Sequence, residues 1–436
     1  MNYRSTRGGE AISLDAALVR GIAPDGGLYL PDSLPRFSNA DFSTDGDISA
    51  VACTLLEPFF AGSALSADLG DIVNETFRFP LPVTPLESTS GKAALLELFH
   101  GPTAAFKDVG AGFLAACLKR LQGDVEHPLT ILVATSGDTG GAVAAAFNEQ
   151  PGMRVAVLYP DGRVSARQAH QLTCWGDNVL SLAVRGSFDD CQAMVKNAMA
   201  DAALSQRHRF SSANSINIGR LLPQSIYYAH ASLAHRQQTG RVAHFVVPTG
   251  NLGNALACYM AREMGLPIGE IMLATNANRL IVDFLGGADW IPRPGIETLA
   301  SAMDVGHPSN MERLRSLVGA DADLAGRLRA VSVSDEEIRD EIRRTFDESR
   351  RAVCPHTATA TFAWRGLDDA ERASGDWILV ATAHPAKFEQ IVEPIIGDSV
   401  ELPPELADIL SRPRRYVTIE PQDAALGAAL DEGFGR

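Results

Sequence analysis

Between residues 94 and 381, short runs rich in Val, Ile, Leu and Ala alternate with amphipathic stretches of helical period. The runs lie at 94–99, 129–134, 154–159, 179–184, 244–247, 271–274 and 377–381. A strand with one wet face alternates apolar and polar residues, whereas these runs are continuous rather than alternating, broken only by single residues such as Glu97, Thr130, Arg154 and Ser181. They therefore read as strands covered on both faces, which implies mainly parallel sheets with helical crossovers. At 436 residues the chain exceeds what one core supports, so two or three domains are expected. In parallel sheets ligands gather where strands end and helices begin, so the loops after these runs are where function is sought.

Before this region, Ser13 caps a short helical pattern over 12–19, Ala23-Pro24-Asp25-Gly26-Gly27 makes a turn, and 28–31 is a short extended piece. Helical patterns fill 47–61 and 66–77. The proline-rich segment 80–87 cannot be helical and reads as a connector. Near the other end, Ser334 with Glu337 forms a capping box for a helix to about Arg351. The tail 413–436, Arg-rich and then Ala/Gly/acidic, is expected to be partly loose.

A net charge of -15 argues against a nucleic-acid surface and against an anionic membrane. An anionic substrate would need positive charge concentrated locally against that background. The cysteines at 53, 117, 174, 191, 258 and 354 form no Cys-x-x-Cys pair and sit in apolar or helical stretches, as reduced core thiols do. No metal site is expected. No apolar run approaches a membrane span and no apolar signal follows Met1, so a cytoplasmic protein is the default expectation.

The first informative loop runs Phe99-His100-Gly101-Pro102-Thr103-Ala104-Ala105-Phe106-Lys107-Asp108, between the 94–99 run and an amphipathic stretch from Val109 to Leu121. Lys107 sits where a strand hands over to a helix, flanked by Phe99 and Phe106. Apolar surroundings push an amine toward its neutral form, the form that condenses with a carbonyl. The second loop, Thr135-Ser136-Gly137-Asp138-Thr139-Gly140-Gly141, opens a helix over 142–148, and amides and hydroxyls at a helix start make an anion cradle. By itself it reads equally well as a tight turn with an Asp cap. The third, Pro248-Thr249-Gly250-Asn251-Leu252-Gly253-Asn254, lets backbone approach a phosphate but lacks the lysine of a nucleotide P-loop. Thr382-Ala383-His384-Pro385-Ala386-Lys387-Phe388 follows the last run, and Ser211 to Arg220 packs amides, hydroxyls and an arginine into ten residues. One lysine at a sheet edge plus a separate phosphate cradle is what pyridoxal phosphate requires.

Taken together, these loops resemble the threonine synthases, pyridoxal-phosphate enzymes of fold type II. The resemblance spans nearly the whole chain, including Ser5-Thr6-Arg7-Gly8, Ala23 to Tyr29, His100 to Asp108, Thr135 to Gly140, Asn214 to Gln224, Thr249 to Gly253 and Thr382 to Phe388. It implies that Lys107 carries the cofactor as a Schiff base and acts in catalysis. It implies that Gly250, Asn251, Leu252, Gly253 and Asn254 hold the cofactor's phosphate, that Thr382 faces its ring nitrogen, and that Asp138 lies near its ring oxygen. Thr135, Ser136, Gly137 and Thr139 would bind the substrate carboxylate, and Asn214, Ser215 and Arg220 its phosphate, with Lys387 adding charge there. Leu252 stands where many members have Phe, and Asn254 where many have Asp. Cys354 stands where an acidic residue usually precedes Pro-His, which makes it a candidate for oxidation.

The implied reaction is conversion of O-phospho-L-homoserine and water to L-threonine and phosphate. The implied architecture is two α/β domains with mainly parallel sheets, plus an N-terminal, mostly helical extension. The extension is expected over 1–85, the larger cofactor-binding domain over 86–119 and 239–436, and a smaller domain closing over substrate across 120–238. The expected partner is the small-molecule substrate, in a monomer or homodimer. A phospholyase on the same scaffold, releasing a 2-oxoacid, and a metabolite-sensing protein that keeps the pocket stay open as alternatives.

Overall fold

The structure, a computed structural model, describes residues 1–43, 47–123, 126–319 and 321–435. Three sheets organise it. Near the N-terminus β1 (Tyr3–Ser5) pairs antiparallel with β2 (Gly8–Ile12) and with β3 (Tyr29–Pro31). A six-stranded sheet is built from β4 (Val83–Ser88), β5 (Gly91–Glu97), β10 (Ala243–Pro248), β11 (Ile268–Thr275), β12 (Arg329–Ser332) and β13 (Asp376–Ala381). Its order is β12-β11-β10-β13-β5-β4, parallel except for the β4 edge. A five-stranded parallel sheet comprises β6 (Leu129–Ala134), β7 (Met153–Pro160), β8 (Val179–Val184), β9 (Phe210–Ser212) and β14 (Val417–Ile419), in the order β14-β8-β7-β6-β9.

Every apolar run expected to form a strand does so. Side chains of β6 are buried from end to end, as two-faced coverage requires. The helix Lys107–Leu121 crosses from the six-stranded to the five-stranded sheet and packs against the helices Leu69–Thr76 and Asp138–Phe147. Its Phe113, Leu114, Cys117 and Leu118 are fully buried in a core that also takes in Leu55, Phe59 and Ile72 from the N-terminal extension. That extension is mostly helical, as expected: Ser13 caps Leu14–Arg20, and Ile48–Phe60 and Leu69–Thr76 follow. The capping box at Ser334 opens the helix Asp335–Ser349.

Two expectations are corrected. The proline-rich stretch 80–87 is no free connector, because its second half is β4, paired with β5 from Val83↔Leu96 to Ser88↔Gly91. Proline forbids helix, but an edge strand accommodates it where no ladder donor is needed. Residues 417–434 of the tail are built into the fold: β14 extends the five-stranded sheet and the helix Asp423–Phe434 buries Leu426, Leu430 and Phe434 against it. Residues 417–434 thus pack with the five-stranded sheet, although they lie in the segment expected to belong to the larger domain. Apolar spacing of 426, 430 and 434 carried that information, masked by the small residues between.

Candidate active site

After β5 the chain is strapped to the segment following β13. Leu98 N–H donates to Ala381 O, Phe106 N–H to Thr382 O at 2.8 Å, and His384 N–H to Ala104 O at 3.0 Å. These bonds place Lys107, first residue of its helix, beside Thr382. The Lys107 amine lies 5.5 Å from the Phe106 ring centroid. Burial pulls its pKa down to about 8, helped by the like charges of Lys387 and Arg220 and opposed by Asp138. Position at a helix N-terminus also disfavours the ammonium.

The turn after β6 is shaped by Thr135, whose hydroxyl accepts from Gly137 N–H at 3.0 Å and Gly140 N–H at 2.9 Å. Gly137 has φ of +135°, and a Cβ there would lie 2.6 Å from the Gln168 side chain. Asp138 starts the helix Asp138–Phe147 and is 4% exposed. Its carboxylate accepts from Lys387 Nζ at 2.8 Å and from Gln168 Nε2 at 3.0 Å. Burial alone would raise its pKa. Lys387, Lys107 and His356 overcome that and hold it well below the carboxylate range.

After β10, Thr249 to Leu252 lead into the helix Gly253–Glu263. Asn254 staples the loop, donating to Pro248 O at 2.8 Å and accepting from the Thr249 hydroxyl at 2.8 Å. Leu252 takes a left-handed conformation, φ +62°, with its side chain buried. A Cβ on Gly250 would meet Met303 Cα at 2.6 Å, so only glycine fits. Backbone N–H groups of Gly250, Asn251 and Leu252 have no acceptor among the described residues. Open donors at a helix start, kept clear by a bare glycine, fit a phosphate group.

Ser215 joins this loop: its hydroxyl accepts from Asn251 Nδ2 at 2.7 Å and Asn310 Nδ2 at 3.3 Å. Asn214 donates to Ala134 O at 3.0 Å, tethering it to the end of β6. Arg220, 2% exposed, donates through Nη1 to Ala213 O, while its Nε has no partner. Burial pulls its pKa to about 10, with Tyr227 and Asp108 opposing, so it stays a cation at neutral pH.

One cleft collects most of the expected residues: Lys107, Thr135, Ser136, Asp138, Thr139, Asn214, Ser215, Arg220, Gly250, Asn251, Gly253, Asn254 and Thr382 all line it. Gly137 and Leu252 shape the backbone behind it. Lys387 is also held behind it, 0% exposed, with its amine on Asp138 and on Thr103 O at 2.7 Å. His356, Gln224, Gln192 and His307 line the cleft without having been singled out. His356 accepts from Ala302 N–H at 3.0 Å, and burial lowers its pKa to about 4, so it stays neutral. Cys354 caps the helix Pro355–Arg365, its sulfur accepting from Thr357 N–H. It is 0% exposed and burial pushes its thiol up, which corrects the expectation of an oxidation-prone site. Among the described residues no cluster could hold a metal ion.

Three family models match the chain: pyridoxal-phosphate dependent enzyme over 78–383, threonine synthase N terminus over 2–77, and threonine synthase C-terminal over 357–429. The threonine synthase of Escherichia coli (strain K12) is 38% identical over 401 residues, 92% of each chain. That of Pseudomonas aeruginosa is 35% identical, covering 100% of this chain and 99% of its own. Among solved structures, the E. coli threonine synthase superposes with a TM-score of 0.90 at 35% identity, over 99% of this chain and 100% of its own. A threonine synthase from Brucella melitensis with bound PLP gives 0.88 at 31% identity, over 99% of both chains.

Proposed function

The chain belongs to the threonine synthase family of pyridoxal-phosphate-dependent enzymes, and from that premise we infer that it converts O-phospho-L-homoserine and water to L-threonine and phosphate. The observation that carries this reading is the convergence, in one cleft, of a lysine, a glycine cradle and an unsatisfied arginine from distant parts of the chain. No described helix is long and apolar enough to cross a membrane. The reading takes a small-molecule substrate, no nucleic acid, a cytoplasmic setting and a monomer or homodimer.

Pyridoxal phosphate, when bound, supplies an aldehyde for amines and a ring that accepts the charge left by a departing Cα proton. In our reading the open amides of Gly250, Asn251 and Leu252 would hold the cofactor's phosphate, and Lys107 would supply the amine for its aldehyde. Ser215, bound to Asn251, is better placed for that phosphate than for the substrate's. The Thr382 hydroxyl is neutral and cannot stabilise a proton on the ring nitrogen as a carboxylate would, which keeps charge nearer Cα. Ser136 and Thr139, at a helix start, receive the substrate carboxylate, and Asp138 sets the local charge. The Lys107 amine takes the Cα proton and later returns one. Asn214 and Arg220 hold the leaving phosphate with bonds that strengthen as its charge grows.

Two consequences follow from the electrostatics. Arg220→Ala raises KM for the phosphorylated substrate ~10–100-fold, the worth of a charge-assisted bond of ~1.5–3 kcal/mol. An unchanged KM removes Arg220 from phosphate binding. Cofactor-free protein takes up pyridoxal phosphate faster as pH rises through about 8 and levels off above it, because only the neutral amine condenses. Stopped-flow absorbance reads this, and a rate flat from pH 6 to 9.5 contradicts it. The activity itself is tested by supplying O-phospho-L-homoserine and assaying products. Equal phosphate and threonine are expected, whereas 2-oxobutyrate with ammonia would indicate the phospholyase.

A further inference from the structure

Outside the candidate active-site cleft lies a wider, open one that shares Ala134, Gln192, Asn214, Asn251 and His307 with it. The helices Leu14–Arg20, Phe188–Ala200 and Met311–Val318 contribute to its walls, with the turn over 22–26 and β9. Its charged lining is Arg7, Arg20, Lys196 and Arg315 against Asp25 and Glu312, a net of +2 in a chain of -15. Both acids are already engaged. Arg7 grips Glu312 with bonds of 2.9 and 3.1 Å, and Asp25 accepts from Ser5 and Gly27, each at 2.8 Å. Arg315 is braced by Phe284 and Trp290, at 4.7 and 5.4 Å, with Asp321 on its outer side at 2.9 Å. Arg20 and Lys196 are exposed and make no hydrogen bond or ion pair among the described residues. In a chain of net negative charge, two unpaired cations line the cleft that adjoins the inner one.

We propose that this outer cleft, through Arg20 and Lys196, is an anion-capturing antechamber that draws the dianionic phosphomonoester toward Arg220 and Asn214. The inference rests on the activity inferred above. Fixed positive charge lining a cleft raises the local concentration of an anion and accelerates its arrival. Neither side chain touches the reacting atoms, so their effect falls on KM and not on kcat.

The test compares wild type, the double variant R20E/K196E and K92E in the cofactor-loaded enzyme. K92E alters net charge at an exposed position outside both clefts. Two readouts are taken: KM and kcat for O-phospho-L-homoserine, and the calorimetric Kd for inorganic phosphate, which needs no turnover. The double variant is expected to raise both KM and Kd about fivefold or more at low ionic strength, with kcat within about twofold. Near 0.5 M salt the difference should largely vanish, because charges more than a few Å apart are then screened. Unchanged KM and Kd overturn the proposal, as does an equal rise in K92E or a rise that salt leaves intact. A wild type that binds phosphate in the predicted salt-dependent way but makes no threonine would instead defeat the activity and leave the antechamber standing.

Discussion

Lys107→Ala is expected to lower turnover by at least ~10⁴-fold, since in the role we propose for Lys107 it removes both the cofactor's covalent anchor and the amine that moves the Cα proton. The protein nevertheless folds and retains its cradle. Lys107 sits at a helix start where its charge is disfavoured, and neither the glycine loop nor Asn254 depends on it. The variant therefore keeps a wild-type melting curve and still binds pyridoxal phosphate, without the wild-type visible band. Residual turnover within about tenfold of wild type would reassign the base.

The second large effect concerns stability. Asp138→Ala strands the Lys387 ammonium in the interior with only the Thr103 carbonyl for company. Leaving a buried charge without its counterion costs ~3–5 kcal/mol. Replacing both residues, in Asp138→Ala with Lys387→Met, removes the unpaired charge and should recover most of that loss. Denaturant melts of the wild type, the two single variants and the double variant measure the coupling. If the double variant is as unstable as the sum of the singles, the pair is not the origin. The sign of the pH dependence agrees with an ion pair: the folded carboxylate is held below its ordinary range, so its stabilisation is present above about pH 4 and fades only as pH falls further.

Strand positions are legible because a doubly covered strand is dominated by apolar residues without alternation, and loops following such strands are short enough to be read residue by residue. That made Lys107, Thr135 to Thr139 and Gly250 to Asn254 visible as a set. The place of Lys387 in a strand-end loop, with the family resemblance, predicts a phosphate contact. A lysine's long side chain can turn either way, and here the buried carboxylate of Asp138 decides its direction. Nothing in the sequence marks His356, which lies among small Ala and Thr residues that read as ordinary core helix. Only the tertiary packing of Pro355–Arg365 beneath β10 and β13 brings its ring to the cleft. Arg20 and Lys196 each look like an ordinary solvated cation in sequence, and their common cleft exists only once three helices have packed.

The claim beneath all of this is that one lysine and one distant glycine loop grip the same cofactor. The most direct measurement is borohydride reduction of the purified, pyridoxal-phosphate-loaded protein followed by peptide mapping. We expect one label per chain, on the peptide carrying Lys107, with the visible band lost in step. A protein that stays colourless with added pyridoxal phosphate, or a label on any other lysine, contradicts the account.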